Sequence, residues 1–360
     1  MKLIIIGSTG SVGKQTLDIL DNSFDISIVF NKNTNLGYEQ IKKYNIKYFY
    51  SPNESISSKF KSFEEMIDYI KPDMILNAVP GFQGLEYSFI TLNKGIDLFL
   101  ANKESLTIAG KFLTELAHKN KVKIIPIDSE HTALYKLIKN NDTNIKKLYI
   151  TCSGSVIYNK EKDELKKLKP KDIFLHPNWK MGEKILIDSA SLMNKVFELV
   201  EAYWLFKKET EAIFHPQSLV HALVEYNDNS FYCQISKPDM KLAIDLALND
   251  FSISNIPKIN ELKFDNLTFN FQKIDHEKYP QISFAKRIIE DKNNSLGLII
   301  NTANEIAIDL FLKEKINILD FYDFINNFIN KYKDFKINEI DDIFKIKEKI
   351  EKDYKNEQNY

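Results

Sequence analysis

Several features that mark particular classes of protein are scarce in this 360-residue sequence. It has only two cysteines, Cys152 and Cys233, which are far apart and in no metal-ligand spacing, so we expect reduced thiols in a cytoplasmic protein. Its 49 basic and 50 acidic residues nearly cancel, leaving no basic field for nucleic acid or an anionic membrane. No apolar run approaches the roughly 18–20 residues of a membrane span. There is no repeat and no low-complexity block, and we therefore expect a globular protein without nucleic-acid or membrane partners.

The N-terminus combines a short apolar strand, a glycine-rich turn and a helix. The strand covers Leu3 to Ile6, and the turn reads GSTGSVG from Gly7 to Gly13. In this context glycines permit a tight turn and let the backbone approach a pyrophosphate, while the helix N-terminus offers free N–H groups. The spacing is G-x-x-G-x-x-G rather than G-x-G-x-x-G, so two interpretations are open: a dinucleotide site, or a structural turn without a ligand.

The end of the second predicted strand indicates which dinucleotide would bind. An NAD site expects an acidic residue there to hold the ribose 2′-hydroxyl. After the strand Ile26 to Phe30, this chain has Asn31, Lys32 and Asn33 instead. A lysine and two amides suit a 2′-phosphate and favour NADP over NAD. The alternative is that Lys32 is one solvated lysine among many.

Strands and helices continue to alternate over the first 127 residues, which predicts a parallel, doubly wound sheet. Ligands in such sheets lie beyond the carboxyl ends of the strands. A strand from Ile96 to Leu100 delivers Asn102, Lys103 and Glu104 to that edge. The further predicted segments are strands at Lys47–Tyr50, Met74–Ala78 and Val122–Ile127, and helices at Phe60–Ile70, Leu85–Asn93 and Gly110–Asn120.

Residues 188–198, DSASLMNKVFE, concentrate polar groups between apolar flanks. A helix opening near Ser189 or Ser191 would place Asn194 and Glu198 one turn apart, with Lys195 also next to Glu198. For this stretch alone, an N-capped amphipathic helix with a surface Lys–Glu pair is the alternative.

A second acidic pair, Asp128 and Glu130, follows the strand that ends at Ile127. Together with Glu198 these carboxylates would form a hard oxygen site for Mg²⁺ or Mn²⁺, with positions open for substrate and water. The alternative for Asp128 is that it caps a helix from Thr132 to Lys139, which does not exclude a metal role.

Residues 173–183, IFLHPNWKMGE, fit neither a strand nor a helix. A lid that excludes water from a ligand is one interpretation of Trp179 in this loop, and docking of Trp179 into the core is the other.

Upstream of this loop, the turn around Ser153 suits a phosphate or is a plain turn. Downstream, the pattern weakens between 250 and 280, where Phe264 to Phe271 is a strand or an extended linker. Helices are predicted at Ile282–Glu290, Leu296–Phe311, Ile318–Tyr332 and from Asp341 to the end.

Eight motifs occur in an order that is jointly specific: GSTGSVG, ANKES, DSEH, HPNWKMG, DSASLMNKVFE, HPQS, KPDM and NTANE. On these motifs the chain resembles the 1-deoxy-D-xylulose 5-phosphate reductoisomerases of non-mevalonate isoprenoid precursor biosynthesis. The resemblance spans residues 7 to 305 and implies an α/β fold with an N-terminal Rossmann-like doubly wound parallel sheet, a central α/β catalytic domain and a C-terminal α-helical domain. We expect an NADPH-binding domain at 1–127, a catalytic domain at 128–252 with its lid at 173–183, a linker at 253–279 and a helical domain at 280–360.

The resemblance also implies roles at matching positions. The metal ligands would be Asp128, Glu130 and Glu198. The phosphate would be held by Ser153, Ser189, Asn194 and Lys195, and the sugar hydroxyls by Lys103 and Ser129. His176 would belong to the substrate shell, and Trp179 and Met181 to the lid. The NADPH contacts would be Gly7, Thr9, Gly10, Ser11, Val12, Lys32, Asn33, Asn102, Glu104 and Gly182.

The activity implied is NADPH- and divalent-metal-dependent rearrangement and reduction of 1-deoxy-D-xylulose 5-phosphate to 2-C-methyl-D-erythritol 4-phosphate, by a cytoplasmic homodimer. The sequence departs from the family pattern at Asn31, where a glycine is usual, and at Cys152 and Ser155–Ile157, where the usual turn is G-S-G-G-P-F. The alternative function is a metal-independent NADP-linked sugar- or polyol-phosphate dehydrogenase. A non-catalytic NADP-sensing module would need the first domain but not the acids.

Overall fold

The computed structural model describes residues 1–53, 56, 58–139, 143–153, 155–174, 182–252 and 258–358. These residues form two compact units. The first unit contains residues 1–103, 113–136 and 239–261, and the second contains 104–112, 137–238 and 262–360. Along the described ranges, no helix is both long and apolar enough to cross a membrane.

The first unit is built on a six-stranded parallel sheet in the order β3-β2-β1-β4-β5-β6. This order is that of a doubly wound dinucleotide-binding sheet, in which the connections pass from the centre to both edges. The predicted α/β fold class is therefore confirmed. The strands are β1 (Lys2–Ile6), β2 (Asp25–Val29), β3 (Tyr48–Tyr50), β4 (Met74–Asn77), β5 (Asp97–Leu100) and β6 (Ile124–Pro126).

Helices cover both faces of this sheet, which is why the central strand β1 is apolar along nearly its whole length. Leu3 and Ile5 pack into one core cluster, while Ile4 and Ile6 pack into another. All four side chains are fully buried. The helices are α1 (Ser11–Ile19), α2 (Thr34–Lys43), α3 (Phe63–Ile70), α4 (Gln83–Asn93), α5 (Lys103–Asn120), α6 (Ser129–Ile138) and α11 (Met240–Leu248). Residues 104–112 of α5 and 137–138 of α6 belong to the second unit.

Several of these helices differ from the sequence prediction, among them α6, which begins at Ser129 rather than at Thr132. The helix α2 was not predicted, although Asn33 caps it by accepting a hydrogen bond from the Leu36 N–H. The helix α3 begins only at Phe63, because Ser62 caps it. The helix α5 begins at Lys103 rather than at Gly110. A non-helical residue, Ala109 (φ −130°, ψ 24°), interrupts its apolar periodicity, so only the second half is evident from the pattern.

The second unit contains a five-stranded mixed sheet in the order β10-β9-β7-β8-β11. Only β7 and β8 run parallel, and the other neighbours are antiparallel. The strands are β7 (Ile145–Cys152), β8 (Thr210–Phe214), β9 (Val220–Tyr226), β10 (Phe231–Ile235) and β11 (Gln272–Lys273).

The helices of the second unit include the predicted C-terminal set. The segment expected as a strand or linker at Phe264–Phe271 has no regular structure, and only the two residues of β11 follow it. The helices are α7 (Lys162–Leu165), α8 (Pro170–Ile173), α9 (Glu183–Ala190), α10 (Met193–Phe206), α12 (Ser283–Ile289), α13 (Leu296–Leu312), α14 (Asp320–Tyr332) and α15 (Ile340–Gln358).

The prediction of a helix opening near Ser189 or Ser191 was wrong. The helix α9 already contains Ser189, and α10 opens only at Met193. Between the helices Leu192 adopts the left-handed conformation (φ 56°), which turns the chain between two helical segments. The apolar residues before Asp188 therefore belong to α9, the same helix as Asp188 and Ser189.

Candidate active site

The glycine-rich turn requires glycine at two of its positions. Gly7 has a φ of +79°, a conformation that L side chains rarely adopt. A Cβ on Gly13 would lie 2.5 Å from the Gly7 carbonyl oxygen, so this close approach of helix and turn requires glycine. Gly10 caps the N-terminus of α1 without a side chain. The predicted cofactor contacts Thr9, Gly10, Ser11 and Val12 therefore lie at an open helix N-terminus.

A buried glutamine holds this turn, and the sequence analysis missed it. The Gln40 amide nitrogen donates to the Ser8 carbonyl oxygen at 2.8 Å. The Ser8 hydroxyl in turn donates to Gln40 Oε1 at 2.8 Å. Both side chains are almost fully buried. The motif contains Ser8, but Gln40 lies on α2, a helix that the pattern did not reveal.

The residues after β2 are exposed, as a site for a soluble cofactor requires. Asn31, Lys32 and Asn33 all face solvent. The Asn33 side-chain oxygen accepts from the Leu36 N–H at 3.2 Å, so its main interaction here is to cap α2.

Two predicted residues lie where β5 passes into α5. Asn102 is buried and donates from its amide to the Gly81 carbonyl oxygen at 2.9 Å, which fixes the turn after β4. The Lys103 ammonium lies 2.5 Å from Asp128 Oδ2, and both side chains are only slightly exposed. The two strand ends therefore bring Lys103 and Asp128 together, as expected for neighbouring parallel strands.

The acids after β6 lie at the start of α6. Asp128 Oδ1 accepts from the Ser129 N–H at 2.9 Å, and the Asp128 carbonyl oxygen accepts from the Thr132 N–H at 2.8 Å. The Ser129 hydroxyl donates to Glu130 Oε2 at 2.6 Å. The expected helix-terminal role of Asp128 is thus present. His131, fully buried, lies with its Nδ1 3.8 Å from Asp128 Oδ2.

In the second unit, Lys195 and Glu198 form a buried ion pair on α10. Asn194 donates from its side-chain amide to the other carboxylate oxygen of Glu198. Lys195 also donates to the Thr151 carbonyl oxygen at 2.6 Å, which ties α10 to the end of β7, next to the turn that carries Ser153. The predicted helical spacing is confirmed, but the pair is buried rather than on the surface.

The remaining predicted residues of this unit are described only in part. Ser189 is half-buried on α9, and exposed Gly182 caps the N-terminus of that helix. His176, Trp179 and Met181 lie outside the described residues, as does most of the expected lid at 173–183.

A second ion cluster of this unit was not predicted. The Lys184 ammonium lies 2.6 Å from Glu104 Oε1 and 2.7 Å from Asp188 Oδ2. The Asn304 amide donates to Asp188 Oδ1 at 2.7 Å. One contact of this cluster could have been predicted from the sequence, because Lys184 and Asp188 are four residues apart and therefore adjacent on one face of α9.

Burial and charge oppose each other in this cluster. Burial disfavours the charged form of Lys184, but Asp188 and Glu104 outweigh it and raise the pKa of the ammonium above its ordinary value. Burial raises the pKa of the Asp188 carboxyl, and Lys184 and Asn304 counteract this only in part. Lys184 therefore remains a cation throughout the physiological range.

The available donors fit the expected cofactor and metal by their chemistry. Asp128, Glu130 and Glu198 supply only carboxylate oxygens, which hard divalent cations such as Mg²⁺ prefer. The glycine-rich turn supplies backbone N–H groups for phosphate, as a dinucleotide requires.

Three family models match this chain and together span most of it. The model described as 1-deoxy-D-xylulose 5-phosphate reductoisomerase matches residues 3–110. The model of the 1-deoxy-D-xylulose 5-phosphate reductoisomerase C-terminal domain matches 124–206. The model of the DXP reductoisomerase C-terminal domain matches 235–353.

Curated relatives are similar over nearly the whole length. The 1-deoxy-D-xylulose 5-phosphate reductoisomerase of Malacoplasma penetrans is 39% identical over 98% of this chain and 94% of that protein. The enzyme of the same name from Mycoplasmoides gallisepticum is 40% identical over 98% of this chain and 99% of its own length.

Solved structures show the same architecture. A crystal structure of DOX-P reductoisomerase in complex with NADPH, fosmidomycin and magnesium superposes with a TM-score of 0.85. Its sequence is 29% identical, and the match covers 98% of this chain and 97% of that one. The Zymomonas mobilis reductoisomerase in complex with NADPH also gives 0.85, at 28% identity, over 97% of this chain and 96% of that one.

Proposed function

The chain belongs to the 1-deoxy-D-xylulose 5-phosphate reductoisomerase family, and from this membership we propose how its own residues carry out the family reaction. It is an NADPH- and magnesium-dependent enzyme that converts 1-deoxy-D-xylulose 5-phosphate to 2-C-methyl-D-erythritol 4-phosphate, combining a skeletal rearrangement with a reduction. This conclusion rests on relatives and a solved structure of the family that match 98% of this chain.

NADPH binds, in this proposal, to the glycine-rich turn and the residues after β2. The open N-terminus of α1 supports a pyrophosphate position next to Gly10 and Ser11. The exposed Lys32, which has an asparagine rather than an acid on either side in the sequence, supports a contact to the 2′-phosphate. The full set carried forward is Gly7, Thr9, Gly10, Ser11, Val12, Lys32, Asn33, Asn102, Glu104 and Gly182.

The metal ligands in this proposal are Asp128, Glu130 and Glu198, which match the family motifs. A divalent ion held by carboxylates supplies positive charge to the substrate oxygens, where negative charge develops during the reaction. Lys103, paired with Asp128, is a hydrogen-bond donor for a sugar hydroxyl, and the Ser129 hydroxyl lies in the same segment.

The phosphate group of the substrate would bind to Ser153, Ser189, Asn194 and Lys195, with His176 and Trp179 completing the substrate shell. The pairing of Lys195 with Glu198 supports this division of roles. Each charge neutralises the other in a buried setting. A cation at Glu198 and an anion at Lys195 would give both groups new partners, so neither charge would be left uncompensated.

We assign functions to the chain segments as the motifs suggest. Residues 1–127 bind NADPH and 128–252 carry the catalytic residues, with a lid at 173–183. Residues 253–279 link this part to a helical domain at 280–360.

The protein is proposed to act as a cytoplasmic homodimer. Free thiols at Cys152 and Cys233 are consistent with a reducing compartment. The edge strand β10 supports self-association, because Phe231 and Tyr232 are more than half exposed on it.

The function is tested by following NADPH oxidation with 1-deoxy-D-xylulose 5-phosphate and identifying the product by mass spectrometry and NMR. We expect NADPH oxidation that depends on this substrate and yields the branched polyol phosphate. A reduced but unrearranged sugar phosphate would instead identify a simple dehydrogenase.

A further inference from the structure

The second unit contains a partly buried lysine, Lys184, that contacts carboxylates from two motifs, and one of these carboxylates also binds a residue from a third motif. Lys184 is in the first turn of α9, just after Gly182. Its ammonium contacts Glu104, from the ANKES motif, and Asp188, from the DSAS motif. Asn304, from the NTANE motif, binds the second oxygen of Asp188. One cation thus joins α5, α9 and, through Asp188, α13.

The partners of Lys184 are themselves almost inaccessible. The carboxylate side chains of Glu104 and Asp188 are 8% and 3% exposed, against 24% for Lys184. The Lys184 ammonium also lies 5.7 Å from the ring of Phe197, the residue before Glu198. Two buried carboxylates in one place repel each other unless a cation lies between them. Lys184 lies between the two carboxylates and holds both in place.

The positions of these partners connect the cluster to binding. Glu104 is itself one of the proposed NADPH contacts. Asp188 directly precedes Ser189, one of the proposed phosphate contacts. Because Asp188 is held at both oxygens, the backbone that carries Ser189 is fixed as well.

We propose that Lys184 is a positioning residue that holds the cofactor contact Glu104 and the phosphate contact Ser189 in binding geometry. This inference rests on the proposed function and adds a residue to it. Lys184 does not touch the substrate in this proposal; it acts through Glu104 and Asp188.

The substitution Lys184→Met tests the proposal, because it keeps the length of the side chain and removes its charge. We expect the Kd for NADPH, measured by fluorescence titration without turnover, and the KM for the sugar phosphate each to rise about tenfold, equivalent to about 1.4 kcal/mol. We expect kcat to change less than either. Lys184→Arg, which can still pair with both carboxylates, should restore most of the binding.

Lys347→Met is the matched control. Lys347 also bridges a carboxylate one turn away, Glu351 at 3.1 Å, and one on another helix, Glu305 at 2.8 Å. The Lys347→Met variant should have a lower melting temperature but an unchanged Kd for NADPH and an unchanged KM for the sugar phosphate. A folded Lys184→Met protein with both constants within twofold of the wild type would overturn the proposal, as would equal binding losses in Lys347→Met.

A third variant covers the case in which Lys184→Met does not fold. Among the described residues, the Asn304 side chain binds Asp188, and Asn304→Ala removes this bond. The variant should therefore raise the KM for the sugar phosphate severalfold and leave NADPH binding unchanged. An unchanged KM in that variant would contradict the proposal. If the wild type does not turn over the sugar phosphate at all, the proposed function fails, while the NADPH titration still decides the role of Lys184.

Discussion

Glu198 is a buried carboxylate with two donors in its own helix, Lys195 and Asn194. Removing one partner of a buried pair costs about 3–5 kcal/mol, because the other charge is left uncompensated. Losing Glu198 therefore has two separate consequences: a loss of stability, because the buried Lys195 charge is left uncompensated, and a loss of turnover if Glu198 holds the metal.

The substitution Glu198→Gln should collapse turnover and leave NADPH binding nearly unchanged. Glutamine keeps an acceptor for Lys195 but cannot replace a carboxylate ligand of a divalent ion. We expect kcat to fall by at least about 10²-fold, the loss typical of removing one electrostatic contact to the transition state. Steady-state kinetics and an NADPH titration would measure both effects, with the exposed Glu290→Gln as the control. A large loss of NADPH affinity would mark Glu198 as structural.

Sequence spacing predicts contacts within one helix and fails for contacts between distant segments. The interactions of Asn194 and Lys195 with Glu198 follow from three- and four-residue spacing. The contact of Lys184 with Glu104 joins residues 80 positions apart, and that of Gln40 with Ser8 joins residues 32 apart. No local pattern marks these partners, because each depends on how whole elements pack.

Among the elements, the glycine-rich turn is supported by α2 through the two hydrogen bonds of Gln40. Gln40→Ala should therefore loosen the turn and weaken NADPH binding about tenfold, since a phosphate site depends on fixed backbone N–H groups. Gln281→Ala is the control, because Gln281 is also buried and donates to a backbone oxygen, that of Ser191, at 2.7 Å. Fluorescence titration with NADPH distinguishes the two. Equal Kd values for Gln40→Ala and the wild type would show that the turn keeps its binding conformation without Gln40.

The segment before β11 is anchored on a buried histidine. His215 is fully buried, its ring centroid lies 4.8 Å from that of Phe271, and its Nδ1 lies 3.0 Å from the Asn270 carbonyl oxygen. The Leu219 N–H donates to Nε2 at 3.1 Å, so the proton is on Nδ1 and the ring is neutral. Burial lowers the pKa of His215 below its ordinary value of 6.5, more than the Asn270 contact raises it.

This anchor predicts a loss of stability in acid. Because the pKa of His215 is depressed in the folded protein, the unfolded chain takes up a proton on this ring first as the pH falls. The stability that neutral His215 contributes is therefore complete above pH 6.5 and is lost as the pH falls below it. His215→Phe keeps a stacking ring but removes both hydrogen bonds. At pH 8 it should be less stable by about 1–3 kcal/mol. Between pH 8 and pH 5, urea unfolding should show a smaller loss for the variant than for the wild type. Parallel pH profiles would contradict the assignment.

Element boundaries were predictable where the apolar period is continuous. The strand β1 and the helix α13 match their predictions closely. The break between α9 and α10 was not predictable, because apolar residues continue on both sides and only Ser191 and the left-handed Leu192 separate the helices. Similarly, the first half of α5 was missed because Ala109 interrupts the period.

At the scale of the whole molecule, the exposed edge strand β10 predicts the oligomeric state. Tyr232→Glu places a charge on that edge and should convert a dimer to a monomer, as light scattering after size-exclusion chromatography would show. Tyr69→Glu alters a similarly exposed tyrosine of the first unit and should leave the mass unchanged. A wild-type monomer, or a Tyr232→Glu protein that remains dimeric, would refute β10 as the interface.

The order of motifs predicted the fold class and the family, because the strand-turn-helix signals are local and their sequence along the chain is distinctive. The division of the chain into two compact units was not predictable in the same way. The segment 239–261, for example, packs in the first unit although it follows the whole β7–β10 region.

The most direct test of the account is turnover of 1-deoxy-D-xylulose 5-phosphate with NADPH before and after chelation of divalent metal. We predict that EDTA abolishes NADPH oxidation and that excess Mg²⁺ or Mn²⁺ restores it, because the proposed ligands are carboxylates that bind substrate oxygens only through a cation. Turnover that continues unchanged in EDTA would contradict the account.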